Sequence, residues 1–224
     1  MNALEPDAGA IRQFVASLFT YADAGSFVSL RAFDQFRDGA APPYIRGVRI
    51  NGHGLDPLID AAVVGARFSA NAPNPMVFAP PIATFRTDQR ATEADLVNGV
   101  CVSVEIDAGD TTKARERLEG LLGPATVVVA SGGEWIDPGT GEIFPKLHLH
   151  WRLSEPTRDD ATHADLKHAR RLACALVSAD PSAKTSVHPL RWPGSWHLKA
   201  TPKLAQIITL NEAAEVHLTH QSVI

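Results

Sequence analysis

Apolar positions along the chain recur with two different periods, and the change of period marks out its elements. Over residues 10–24, Ile11, Phe14, Val15, Leu18 and Phe19 return every three or four residues, which predicts an amphipathic helix closing at Gly25. Strands are predicted at 27–33 and 76–79, the second stopped by Pro80 and Pro81. Between them, Pro42, Pro43, Gly47, Gly52, Gly54 and the run from Asn71 to Pro75 mark loops around a short helix near 56–66. A helical turn at 92–96 leads into a strand at 99–107. Asp110 supplies a side-chain cap for a helix at 111–122, which Gly123 and Pro124 end. A β-rich run at 126–130 follows, then Ser131-Gly132-Gly133, whose glycines let the chain turn and pass close to a ligand. Residues 134–145 read as a loop with a turn at Asp137-Pro138-Gly139, ahead of a strand at 146–153. Thr157 and Asp160 pair as a cap for a long helix at 158–178, and a last strand is expected at 205–210. Helices and strands in this mixed order, without a regular βαβ rhythm, predict an α+β fold with a largely antiparallel sheet. One domain is expected over residues 1–224, with an N-terminal subregion at 1–75 and a core at 76–210.

Two of these strands carry chemistry on their polar faces. Side chains alternate along a strand, so Glu105 and Asp107 share one face while Val104 and Ile106 point into a core. Residues 146–153 split in the same way, with Lys146, His148, His150 and Arg152 on one face and Leu147, Leu149, Trp151 and Leu153 on the other. Carboxylates on one strand and cations on another can together hold a metal ion and the phosphates that accompany it. Because large apolar residues already claim the opposite face, His148 and His150 are expected to be functional rather than core histidines.

Composition sharpens this only in part. The 224 residues are 45% hydrophobic and 21% charged, ordinary for a globular domain able to bury one sizeable core. No apolar run approaches the roughly 20 residues that cross a bilayer, and the N-terminus carries Glu5 and Asp7 rather than a basic leader, so a cytoplasmic protein with no membrane partner is expected. Cys101 and Cys174 sit in apolar surroundings without a CxxC partner, which suits buried reduced thiols. The net charge of −4 argues against a bulk nucleic-acid coat protein, yet residues 145–203 hold ten Lys/Arg against five Asp/Glu and six of the nine histidines. A polyanion-facing surface is expected from that half.

The order of motifs is more specific than any one of them: hhhExD at 102–107, SGG then HLHW across 131–151, and Arg191-Trp192-Pro193-Gly194-Ser195-Trp196-His197-Leu198-Lys199. Together they resemble the archaeo-eukaryotic primase superfamily, specifically the primase-polymerase (prim-pol) domains of plasmids and phages. Those domains carry an hhhDhD strand, an SGxGxHxYW-type strand and a late RxPGTxNxK segment. The turn from Thr92 to Leu96 is similar to their KATxxD turn. The resemblance spans roughly residues 75–200 and implies a primase-like (RRM-like) α+β catalytic core. It further implies that Glu105 and Asp107 hold two divalent ions, Mg²⁺ or Mn²⁺, that His148 is catalytic and contacts the nucleotide phosphates, and that Ser131, Lys146, Arg191 and Lys199 line the nucleotide pocket. Asp180, in Asp180-Pro181-Ser182-Ala183-Lys184-Thr185, is the implied third acidic ligand, since the DPAxTD form of the family has its second acid where Thr185 stands. Other departures are Glu105 in place of Asp, His150 in place of an aromatic, and His197 in place of Asn.

The implied reaction is template-directed primer synthesis on single-stranded DNA from NTPs or dNTPs. Proteins of this kind are commonly joined to a replicative helicase domain or subunit. A pair of hard oxygen donors one strand-step apart suits Mg²⁺ or Mn²⁺, and cations beside them suit a triphosphate. Arg152 is expected to assist there, and Trp192 or Trp196 either stacks on a template base or packs in the core. His163, His168, His188, His217 and His220 are expected at the surface. Two other classes compete. A HUH-type nicking enzyme would use His148 and His150 on one metal with an upstream nucleophile, Tyr21 or Tyr44; a non-catalytic single-strand-binding module would need no clustered carboxylates.

Overall fold

A computed structural model describes residues 3–34, 42–179, 184–199 and 201–218. Helix α1 (Ala8–Leu18) starts where the Asp7 carboxylate accepts the Ala10 backbone N–H at 3.0 Å, and it buries Ile11, Phe14, Val15 and Leu18. Strands β1 (Phe27–Asp34) and β2 (Tyr44–Arg49) pair antiparallel and lie under α2 (Asp56–Ala70). Short strands β3 (Met76–Phe78) and β4 (Ala83–Phe85) follow, and a 3₁₀ turn at Glu93–Asp95 opens onto β5 (Leu96–Ile106). Helix α3 (Thr111–Leu122) then crosses to β6 (Val127–Ile136), and β7 (Ile143–Thr157) returns beside it. Helix α4 (Asp160–Leu176), the ribbon of β8 (Trp196–His197) with β9 (Lys203–Leu204), and β10 (Gln206–Leu210) complete the described chain.

The main sheet runs β10-β6-β7-β5-β4-β1-β2, with β3 also on β1, and the pairings are antiparallel. Strand β7 lies between β5 and β6, so α3 must pass over it. Both faces are covered. On one, Val102, Val104, Ile106, Leu147, Leu149, Trp151 and Leu153 meet Leu118 of α3 and Leu166 of α4. On the other, α1 and α2 close over Val28, Leu30, Val127, Val129 and Trp192. The β5–β7 register sets Ser103 opposite His150 and Glu105 opposite His148, which is what the alternation of both sequences requires. Among the described residues no helix is long and apolar enough to cross a membrane, and Cys101 and Cys174 are free and buried.

Several expectations shift. Residues 134–145 are not a loop but the end of a β-hairpin, with Trp135 opposite Phe144 and Ile136 opposite Ile143. Its tip is tied by the Asp137 carboxylate, which accepts N–H groups from Gly139 at 2.7 Å and Thr140 at 3.0 Å. The cap of α4 is Asp159, in a reciprocal box with Thr162, instead of the Thr157/Asp160 pair. The hydroxyl of Thr157 instead bonds Nδ1 of His163 at 2.6 Å, so that histidine is not a plain surface residue.

Trp192 belongs to the core rather than to a template-stacking surface. It is fully buried against Phe14, Phe19 and Phe78 and donates Nε1–H to the Pro80 carbonyl at 3.0 Å. Trp192→Ala should therefore destabilise the domain by about 3–5 kcal/mol. For a domain of this size that lowers the midpoint of thermal unfolding by roughly 10 °C, measurable by calorimetry. Trp196 is held by donation of its Nε1–H to the Glu5 carbonyl.

Candidate active site

The polar face shared by β5 and β7 descends from solvent into the interior. At the outer rung, Lys146 stands 3.4 Å from Asp107. One step in, Glu105 Oε1 lies 3.4 Å from His148 Nε2. A further step in, Ser103 bonds Nδ1 of a wholly buried His150 at 2.9 Å, with the Phe14 ring edge-on to the imidazole. At the bottom, Arg152 bonds the Ser17 and Glu212 carbonyls and ion-pairs with Glu215. Only the two outer rungs face a cavity, one of about 570 Å³ lined by Glu105, Asp107, Lys146 and His148.

The far wall comes from the two glycine-bearing segments. Gly132 has φ +86, and a Cβ there would lie 2.8 Å from Cβ of His197, so the loop passes against that histidine only because it has no side chain. Gly194 at φ +79 has no room either, because a Cβ would collide with the Asp7 carbonyl. Its own N–H donates to Ala205 at 2.7 Å, which fastens the turn after Arg191. The Arg191 guanidinium is thereby led into the cavity, where Nη1 donates to the Ser131 carbonyl at 2.7 Å. Lys199 and Lys203 complete this cationic side, which His197 lines as well.

Electrostatics agree with that layout. Burial alone would raise the Glu105 carboxyl, but hydrogen bonds with His148 and His188 outweigh it and hold the group well below the usual carboxylate range. Arg191 is pushed down to about 10 by burial, opposed by Glu105 and Asp107, and so stays a cation at neutral pH. His197 is pushed down to about 4, by burial first and then by Arg191, Lys199, Lys146 and Lys203. His150 is driven well below its ordinary value, chiefly by burial, and is neutral.

Glu105, Asp107, His148, Ser131, Lys146, Arg191 and Lys199 thus line one cavity. Asp180 lies outside the described residues, as does His220. Arg152 is withdrawn to the opposite end of the ladder, and His150 is a core histidine. Alternation told which face these residues share, but not that α1 roofs the inner half of that face. His188 is the residue the sequence missed: its Nε2 is 3.1 Å from Glu105 Oε2. Among the described residues the cavity lining contains no tyrosine, and His148 and His150 do not open onto a common space, so the geometry of a HUH nickase is not assembled.

Glu105 and Asp107 offer hard oxygen donors on one face, and among the described residues no group of three or more His, Cys, Asp or Glu converges on a point suited to a metal. That fits a Mg²⁺-type ion, which is usually bound by one or two carboxylates, with water and substrate phosphates supplying the remainder.

No protein-family model and no curated protein matches the chain. Solved structures do. The primase-polymerase domain of cyanophage S-2L superposes with a TM-score of 0.64 at 14% identity, covering 95% of each chain. The catalytic domain of primase RepB′, solved in complex with initiator DNA, gives 0.61 at 11% identity, covering 93% of this chain and 87% of its own. A second structure of primase RepB′ gives 0.59 at 11% identity, and there the chain spans 58% of the neighbour's length. The chain therefore has the archaeo-eukaryotic primase fold of prim-pol catalytic domains, as its motif order implied.

Proposed function

We propose that this domain catalyses template-directed nucleotidyl transfer, synthesising primers on single-stranded DNA and extending them. The observation that carries this reading is the facing of Glu105 and Asp107 by the cations Lys146, Arg191, Lys199 and Lys203 within one cavity. A binding module for a polyanion gains nothing from carboxylates at that place, since they repel phosphate. Glu105 and Asp107 would hold two Mg²⁺ or Mn²⁺ ions, which supply charge neutralisation and activation of the attacking hydroxyl. The rest falls to the chain itself. Arg191 and Lys199 hold the triphosphate oxygens, and Lys146 balances Asp107 until substrate arrives. His148, whose Nδ1 donates to the Arg191 carbonyl at 3.3 Å, is oriented with Nε2 toward the cavity. Positioning of this kind supplies most of the rate in phosphoryl transfer. The neighbour solved with initiator DNA supports a DNA template.

The direct test is incubation with single-stranded DNA, labelled NTPs or dNTPs, and Mg²⁺ or Mn²⁺. Labelled oligomers that depend on both template and metal are expected; their absence under every combination would refute the assignment.

His197 adds a pH signature. Its folded-state value lies near 4 against 6.5 for an ordinary imidazole, so the unfolded chain takes up a proton there that the folded chain refuses. Stability is thus complete above 6.5 and declines as pH falls toward 4. A triphosphate neutralising the four cations relieves the part of the depression that they cause, though not the larger part due to burial. Between pH 4 and 6.5 nucleotide binding should therefore take up a proton and tighten as pH falls, read by calorimetry in two buffers of different ionisation enthalpy. His197→Gln should abolish the uptake.

A further inference from the structure

We propose that His188 is a positioning residue for Glu105, holding its back oxygen so that the other oxygen is presented to the cation; this rests on the nucleotidyl-transfer reading above. The two oxygens of Glu105 are not equivalent. Oε1 is on the side of His148, which lines the cavity, whereas Oε2 is 3.1 Å from Nε2 of His188, which does not. The side chains of both partners are 18% exposed, so the contact is largely shielded from competing water.

His188 is itself fixed from both sides. Its N–H donates to the Thr185 carbonyl at 3.2 Å, Pro189 bridges to Pro81, and Leu190 is buried in the core. An imidazole on so rigid a stretch can donate Nε2–H to Oε2 without reorganisation when the cation arrives. A ligating carboxylate held in this way binds metal more tightly, because its orientation and charge are set in advance.

The test compares wild type with His188→Gln, which keeps a donor at similar reach, and His188→Met, of similar length with no donor. Binding of Mn²⁺ alone is followed by loss of the free-ion electron paramagnetic resonance signal, and nucleotide KM and kcat are measured at saturating Mn²⁺. The Met variant should bind Mn²⁺ about 10–100-fold more weakly, the Gln variant should recover most of that loss, and nucleotide KM should stay unchanged at saturating metal. Equal Mn²⁺ affinity in wild type and the Met variant would overturn the role, as would a Gln variant as weak as Met. If the Met variant does not fold, His188→Ala takes its place in the same comparison. A wild-type domain that binds no Mn²⁺ and makes no primers would instead overturn the nucleotidyl-transfer reading, and this inference with it.

Discussion

Replacing Glu105 or Asp107 by Ala should abolish primer synthesis, with a loss on the order of 10³-fold or more for each, while the domain stays folded. That loss corresponds to about 4 kcal/mol of transition-state stabilisation. The two side chains share the polar face of β5, whereas the residues that hold the strand in place, Val102, Val104 and Ile106, lie on the opposite face against α3 and α4. Truncating a carboxylate at the cavity therefore removes no core contact. The two variants should differ in one respect. Asp107 is 42% exposed and has Lys146 as its partner at 3.4 Å, so Asp107→Ala changes little besides the site. Glu105 is held between His148 and His188, so Glu105→Ala also frees two imidazoles and should show the larger change in metal affinity. Primer yield on single-stranded DNA, with circular dichroism as the control for folding, checks both. Activity within tenfold of wild type in either variant would remove that carboxylate from the chemistry.

What the sequence made legible was whatever depends on local period. The cap at Asp110 and the bounds of α3 follow from composition over a dozen residues, and the pairing of Glu105 with His148 follows from alternation once the two strands are neighbours. Edge strands were another matter. In β2, Tyr44–Arg49, polar residues alternate poorly and Gly47 interrupts, so nothing local marked it, and it exists because β1 offers it a partner. The hairpin tip failed for the opposite reason: a strong turn signal at Asp137-Pro138-Gly139 hid the short apolar stretches on either side that pair across it.

The histidines show the same boundary at the site. His148 and His150 are indistinguishable by position, both on the polar face and two residues apart. What separates them is α1, which arrives from more than a hundred residues upstream and lays Phe14 against the His150 ring. His150 then bonds Ser103, while His148 one rung outward keeps the cavity. His188 carried no strand period and no motif, and its approach to Glu105 is set by tertiary structure alone, through the turn from Thr185 and the Pro189–Pro81 bridge. Even so, the family resemblance carried by Ser131-Gly132-Gly133, His148, Arg191 and Lys199 implied most of one cavity's lining before any contact was known.

Arg191→Ala should be the most damaging change on the nucleotide side, lowering kcat/KM by roughly 10²–10³-fold, the usual cost in binding of truncating one partner of a buried, hydrogen-bonded charged contact. The guanidinium is nearly enclosed and donates Nη1–H to the Ser131 carbonyl, while its Nε–H is buried with no hydrogen-bond partner among the described residues. The guanidinium lines the cavity with Glu105 and Asp107, and its N–H groups beyond the one spent on Ser131 need acceptors that come with substrate. Triphosphate oxygens meet that need. Arg191→Lys should not restore activity, because an ammonium has no planar fork with which to bond Ser131 and phosphate at once. The loss should appear mainly in nucleotide KM, since the residue holds the triphosphate before and during the reaction alike. Steady-state kinetics with varied dNTP at saturating template separate the two parameters, and a Lys variant with wild-type KM would show that charge alone suffices at this position.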